Sequence, residues 1–127
     1  MDVTPLIPAG RQLVESYGDG RFRIGGRVFD GSVIVFSDRT LAWPVGEASA
    51  ATVESLAEVA AAGQDGTVDL LLIGCGQRTA LIPGAVRQSL RDSGVVTEVM
   101  DTGAACRTYN VLAAEGRRVA AALIAVP

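Results

Sequence analysis

The sequence contains no histidine, and all eleven of its basic residues are arginine, so lysine is absent too. Without imidazole, no His-ligated metal or His-assisted nucleophile can be assembled. Without lysine, Schiff-base chemistry and the phosphate-binding lysine of nucleotide hydrolases are excluded. Aromatic residues make up only 5% of the chain. No basic stripe accompanies Trp43 or Tyr17, which read as core or rim aromatics rather than a base-stacking platform. A net charge of −3 and a pI near 4.8 give no attraction to nucleic acid or an anionic membrane. The only two cysteines, Cys75 and Cys106, make no CxxC pair, zinc site or disulfide framework. They read as free thiols in a reducing cytoplasm. No apolar run approaches the roughly 20 residues needed to span a bilayer. Residues 1–10 carry Asp2, Pro5 and Pro8 and lack the basic and apolar regions of a signal peptide.

What remains is an ordinary globular composition, 49% hydrophobic and 20% charged. Residues 1–127 read as a single domain, long enough to bury roughly two-thirds of its unfolded surface. The first third is β-structure punctuated by glycine. Phe22-Arg23-Ile24 alternates, Gly25-Gly26 is a hairpin turn, and Arg27-Val28-Phe29 returns. After Asp30-Gly31, the apolar run Ser32 to Phe36 suits a central strand, and Thr40 to Trp43 closes a meander at Pro44.

The period then changes. Val53, Leu56, Ala57 and Ala60 predict an amphipathic helix over 52–62, with Gly63 as its C-cap. Val68 to Ile73 is a buried strand, and Pro83 opens a helix carrying Val86 and Leu90 that Gly94 ends. Val95 to Met100 is a strand and residues 103–115 a helix, with Asp101 or Thr102 as N-cap. Gly116 is its C-cap, Glu115 with Arg117 or Arg118 reads as an ion pair, and 117–126 is the last strand. The fold class is therefore α/β: a single domain with a central mixed β-sheet, an N-terminal β-meander, then alternating helices and strands. Open sheet edges make a homodimer an expectation.

In such sheets, ligands collect beyond the carboxyl ends of the parallel strands. Two segments there are unusual. In Gly74-Cys75-Gly76-Gln77-Arg78, two glycines let backbone approach a ligand and Arg78 offers a cation, although the spacing is not a dinucleotide fingerprint. In the second, Asp101 and Thr102 stand at a helix start, followed by Cys106, Arg107, Thr108 and Asn110. Cys106 and Asn110 share a stripe with Arg107 beside them, and a thiol near a helix N-terminus and an arginine is open to a lowered pKa. Against that, a free cysteine is ordinarily a small core residue. The candidate binding crevice is thus Gly74, Gly76, Gln77, Arg78, Asp101, Thr102, Cys106, Arg107, Thr108 and Asn110. Guanidinium groups and helix-start amides there suit an anionic small molecule. Neither a metal-ligand set nor an acid–base pair of carboxylates is recognisable, no cofactor is implied, and no catalytic residue is assigned.

The run Met100-Asp101-Thr102-Gly103-Ala104-Ala105-Cys106-Arg107-Thr108-Tyr109-Asn110-Val111-Leu112, followed by Glu115-Gly116-Arg117-Arg118-Val119 and an apolar strand, closely resembles the Mth-type domain family of unknown function. Tyr17-Gly18, Phe22-Arg23-Ile24, Gly31-Ser32-Val33 and Trp43-Pro44 support the resemblance, which runs from about Ile7 to Ala125. The family's usual Gly-Thr-Gly appears here as Gly74-Cys75-Gly76, so no hydroxyl role carries over to position 75. The resemblance implies a three-layer α/β fold with a mixed sheet. Because a mitochondrial member assists assembly of respiratory complex I with a partner protein, it also implies a binding or assembly-accessory role with a protein partner. Fold alone does not decide between that role and small-molecule binding or catalysis.

Overall fold

The computed structural model describes residues 11–127. The expectation about residues 1–10, including the start of the resemblance at Ile7, lies outside the described residues. The elements are β1 (Val14–Gly18), β2 (Arg21–Ile24), β3 (Arg27–Asp30), β4 (Val33–Val35), β5 (Thr40–Ala42), α1 (Ala57–Gln64), β6 (Leu70–Gly74), α2 (Gly84–Asp92), β7 (Val96–Met100), α3 (Thr102–Ala114) and β8 (Val119–Leu123). They form a mixed five-stranded sheet in the order β5-β4-β8-β6-β7 and a separate antiparallel sheet β1-β2-β3. In the larger sheet, β6 runs parallel to both β7 and β8, while β4 runs antiparallel to β8 and β5. The α/β class with a mixed central sheet is therefore as expected.

Alternation along the central strands sorts side chains between two cores. Ile34, Leu71, Ile73, Ala120 and Ala122 join Val59 of α1 and Val86 and Leu90 of α2 on one face. Val33, Val35, Leu72, Ala121 and Leu123 join Ala105, Tyr109 and Ala113 of α3, with Phe22 and Ile24 of the small sheet, on the other. Apolar residues on both faces are what place β4, β6 and β8 in the middle. The alternating Arg21–Ile24 strand instead buries Phe22 and Ile24 and exposes Arg21 and Arg23.

The meander is corrected accordingly. The hairpins are those expected, but β3 does not continue to β4: Gly31, at φ +80°, turns the chain into the other sheet, where β4 takes β8 as partner. Strand β1, which the sequence reading passed over, completes the small sheet.

The helix over 52–62 is also corrected. Thr52 and Ser55 exchange hydrogen bonds of 3.0 Å between backbone N–H and side-chain hydroxyl, which holds a 3-10 turn over Glu54–Leu56 before α1 begins. The buried stripe is Leu56, Val59 and Ala62, and Val53 is 39% exposed. Gly63 lies within α1 rather than capping it. A Cβ there would stand 2.6 Å from the Ser93 carbonyl, so the glycine serves close packing against the turn after α2. Pro83 is the N-cap of α2 rather than its first helical residue. The last strand is shorter than 117–126, and Arg118 pairs with Asp69 at 3.7 Å rather than with Glu115.

Helix α3 holds the small sheet to the large one. The Asn110 side chain accepts from the Val14 N–H at 2.9 Å and donates to the Val14 carbonyl at 2.7 Å, so one amide acts as a strand partner for β1. The fully buried Tyr109 hydroxyl donates to the carbonyls of Gln12 at 2.7 Å and Phe36 at 3.2 Å. Replacing Asn110 by alanine leaves both Val14 groups without these partners and should lower stability by about 1–3 kcal/mol in urea unfolding. A change within about 0.5 kcal/mol would show the clamp to be dispensable.

Candidate functional site

The carboxyl ends of β6, β7 and β8 meet at the start of α3. Asp101 is its N-cap, accepting from the Ala104 N–H at 2.9 Å, so of the two expected caps Asp101 fills the position. Thr102 has a different task. Its hydroxyl accepts from the Gly76 N–H at 2.9 Å and donates to the Ile124 carbonyl at 2.7 Å, and its own N–H donates to the Gly76 carbonyl at 2.8 Å. The residue is wholly buried. Gly74 permits this approach, because a Cβ there would stand 2.8 Å from the Thr102 Cα. Gly76 sits at φ +98°, a backbone conformation that favours glycine.

Around this knot the surface is concave. Gly76, Gln77, Asp101 and Arg107, with Tyr17 and Gly103, line a cavity of about 320 Å³. A neighbouring cavity of about 370 Å³ is lined by Cys106, Arg107 and Asn110 against β1, again including Tyr17. The structure thus brings Gly76, Gln77, Asp101 and Arg107 to one wall and Cys106, Arg107 and Asn110 to the other. Arg78 and Thr108 line neither cavity, and Gly74 and Thr102 lie beneath the floor. The Arg107 side chain is exposed and makes no hydrogen bond or ion pair among the described residues.

The residue missed by sequence reasoning is Tyr17. It is 42% exposed, borders both cavities, and its hydroxyl lies 2.5 Å from where a Cβ on Gly103 would be. Its one sequence signal was the Tyr17-Gly18 match to the family pattern, since β1 has too weak an alternation to announce itself.

Cys106 is buried at 3% exposure against the small sheet. Burial pushes its thiol up to about 12, outweighing the lowering by Arg107, while Asp101 adds to the rise. At neutral pH it is a protonated core side chain. Tyr109 is likewise pushed up by burial. Cys75 is half-buried and also free. No group of three or more potential metal ligands occurs among the described residues.

The thiol shift fixes a pH dependence. Unfolded Cys106 loses its proton near 9, whereas the folded residue keeps it to about 12, so the unfolded state is favoured as pH rises through that window. Stability should fall by about 1.4 kcal/mol per pH unit above 9 from this group alone. Urea midpoints at pH 8 and 10.5 test this, and Cys106→Ala should flatten the decline. A variant whose profile runs parallel to that of the wild type would remove Cys106 from the effect.

Comparison with known proteins agrees with this architecture. The chain is 40% identical over 119 residues to an uncharacterised protein of Rhodobacter capsulatus, covering 94% of this chain and 89% of that one. It is 36% identical over 115 residues to NADH dehydrogenase [ubiquinone] 1 alpha subcomplex assembly factor 3 of Danio rerio, covering 91% of this chain. It spans 65% of that factor's length. Among solved structures, a protein of Bartonella henselae described as an outer membrane protein superposes with a TM-score of 0.86 at 34% identity, covering 94% of this chain and 98% of that one. A Mth938-like domain of Bordetella pertussis superposes with a TM-score of 0.82 at 28% identity, covering 98% and 92%. No helix among the described residues is long and apolar enough to cross a membrane. Residues 14–124 match the family described as protein of unknown function (DUF498/DUF598), and the chain belongs to that family.

Proposed function

We propose that this protein is a non-enzymatic accessory module that binds another protein during assembly of a multisubunit complex, and that the complex is respiratory complex I. The observation carrying this reading is the 36% identity to a complex I assembly factor across 91% of the chain. The chemistry of the crevice supports it. Thr102, Asn110 and Tyr109 spend their polar groups on internal hydrogen bonds, and Cys106 is held protonated. Among the groups left at the surface are the Arg107 guanidinium and the Tyr17 ring, residue types that often anchor protein interfaces. Two free thiols support a reducing, cytoplasmic location.

Deleting the gene in its native host tests the reading directly. Assembled complex I on native gels and NADH oxidation by isolated membranes should fall several-fold and be restored by the wild-type gene. Restoration by Arg107→Ala or Tyr17→Ala should be incomplete. Unchanged complex I after deletion would overturn the assembly role. Full restoration by both variants would leave that role standing and remove the crevice from it.

A further inference from the structure

The strongest concentration of positive charge lies at the opposite end of the central sheet. Arg11, Arg39, Arg117 and Arg118 border one concavity of about 280 Å³, formed where β4 ends, β6 and β8 begin, and α3 stops. Four of the eleven arginines therefore share one hollow in a chain whose net charge is −3. Among the described residues, Asp38 is the single carboxylate residue of its wall.

We propose that this hollow binds a multiply charged oxyanion of the pyrophosphate or phosphate-ester class. The arginines are arranged for it. Each guanidinium has five N–H donors in a fixed fork, and few of them are occupied among the described residues, one of Arg118 going to the Gly66 carbonyl at 3.1 Å. Arg11 gives one to the Ala113 carbonyl at 2.6 Å, offsetting the partial negative charge at the end of α3. Arg39 lies 4.1 Å from the Phe36 ring centroid, which fixes its plane and leaves its edge free for further bonds beyond the one to Asp38 at 3.1 Å.

The remaining ion pairs, Arg39 with Glu58 at 3.8 Å and Arg118 with Asp69 at 3.7 Å, are long, exposed contacts of the kind that contributes little. Phosphoryl oxygens can replace them with shorter, bidentate bonds. The Arg117 side chain is exposed and makes no hydrogen bond or ion pair among the described residues, so neutralising acidic neighbours does not account for it. A concave wall with one dominant sign of charge also concentrates anions from solution. The hollow, about 280 Å³, has room for a diphosphate group.

The site lies at the other end of the sheet from Arg107, so it stands independently of the assembly reading. Calorimetric titration of the full chain with pyrophosphate, and with sulfate at matched ionic strength, tests it. Saturable pyrophosphate binding is expected, tighter than that of sulfate. Arg117→Ala, an exposed change with no contact to disturb folding, should weaken it about tenfold or more. Arg39→Ala should also weaken it, and Arg107→Ala should leave it unchanged. Absence of saturable binding would overturn the proposal, as would wild-type affinity in both Arg117→Ala and Arg39→Ala, or loss of binding in Arg107→Ala.

Discussion

One buried hydroxyl determines how the carboxyl end of the central sheet is built. Thr102 joins three segments that are remote in sequence: the loop after β6, the first residue of α3 and the chain leaving β8. A buried donor or acceptor without a partner costs about 1–3 kcal/mol, so the arrangement is stable only if all three segments stay in place together. Gly74 is the steric counterpart, since the approach that lets the hydroxyl reach Gly76 leaves no room for a side chain. The crevice above is rigid in consequence, and its walls are the outer surfaces of a knot whose polar groups already satisfy one another.

The two cores explain why the ends of the sheet differ in chemistry. On the α3 face, the small sheet is docked by side-chain hydrogen bonds to backbone, from Asn110 and Tyr109, rather than by strand pairing with the central sheet. The carboxyl ends of β6, β7 and β8 carry Tyr17, Gln77, Asp101 and Arg107 around the crevice. The amino ends hold most of the clustered arginine, supported by Phe36 and by the final carbonyls of α3. With neither lysine nor histidine in the chain, the cationic side chains at both ends are all guanidinium.

Much of this was legible in the sequence where period and punctuation agreed. The switch from alternation to helical spacing located α2 and α3 to within a few residues, and the doubly apolar run around Val33–Val35 identified a central strand. Pairing was not legible, because a Gly31 turn looks the same whether the chain folds back on its neighbour or crosses to another sheet. The register of α1 was misread because Thr52 and Ser55 close a 3-10 turn that shifts the buried stripe. At the site, the helix start and its aspartate cap could be read locally. Tyr17 could not, since its position depends on Asn110 holding β1 more than ninety residues away in sequence.

The contact between Tyr17 and Gly103 carries a consequence for how this chain can diverge. The tyrosine oxygen occupies the volume a Cβ on residue 103 would need, at 2.5 Å. A side chain at 103 therefore pushes the end of the Tyr17 ring aside, and with it the surface shared by the two cavities, whereas a smaller residue at 17 meets no such conflict. A lineage that acquires a larger residue at 103 re-aims the Tyr17 ring or shortens position 17. The shape of the surface between the two cavities is thus set by a pair of residues, one from β1 and one from α3, and the choice at 103 decides where the tyrosine can stand.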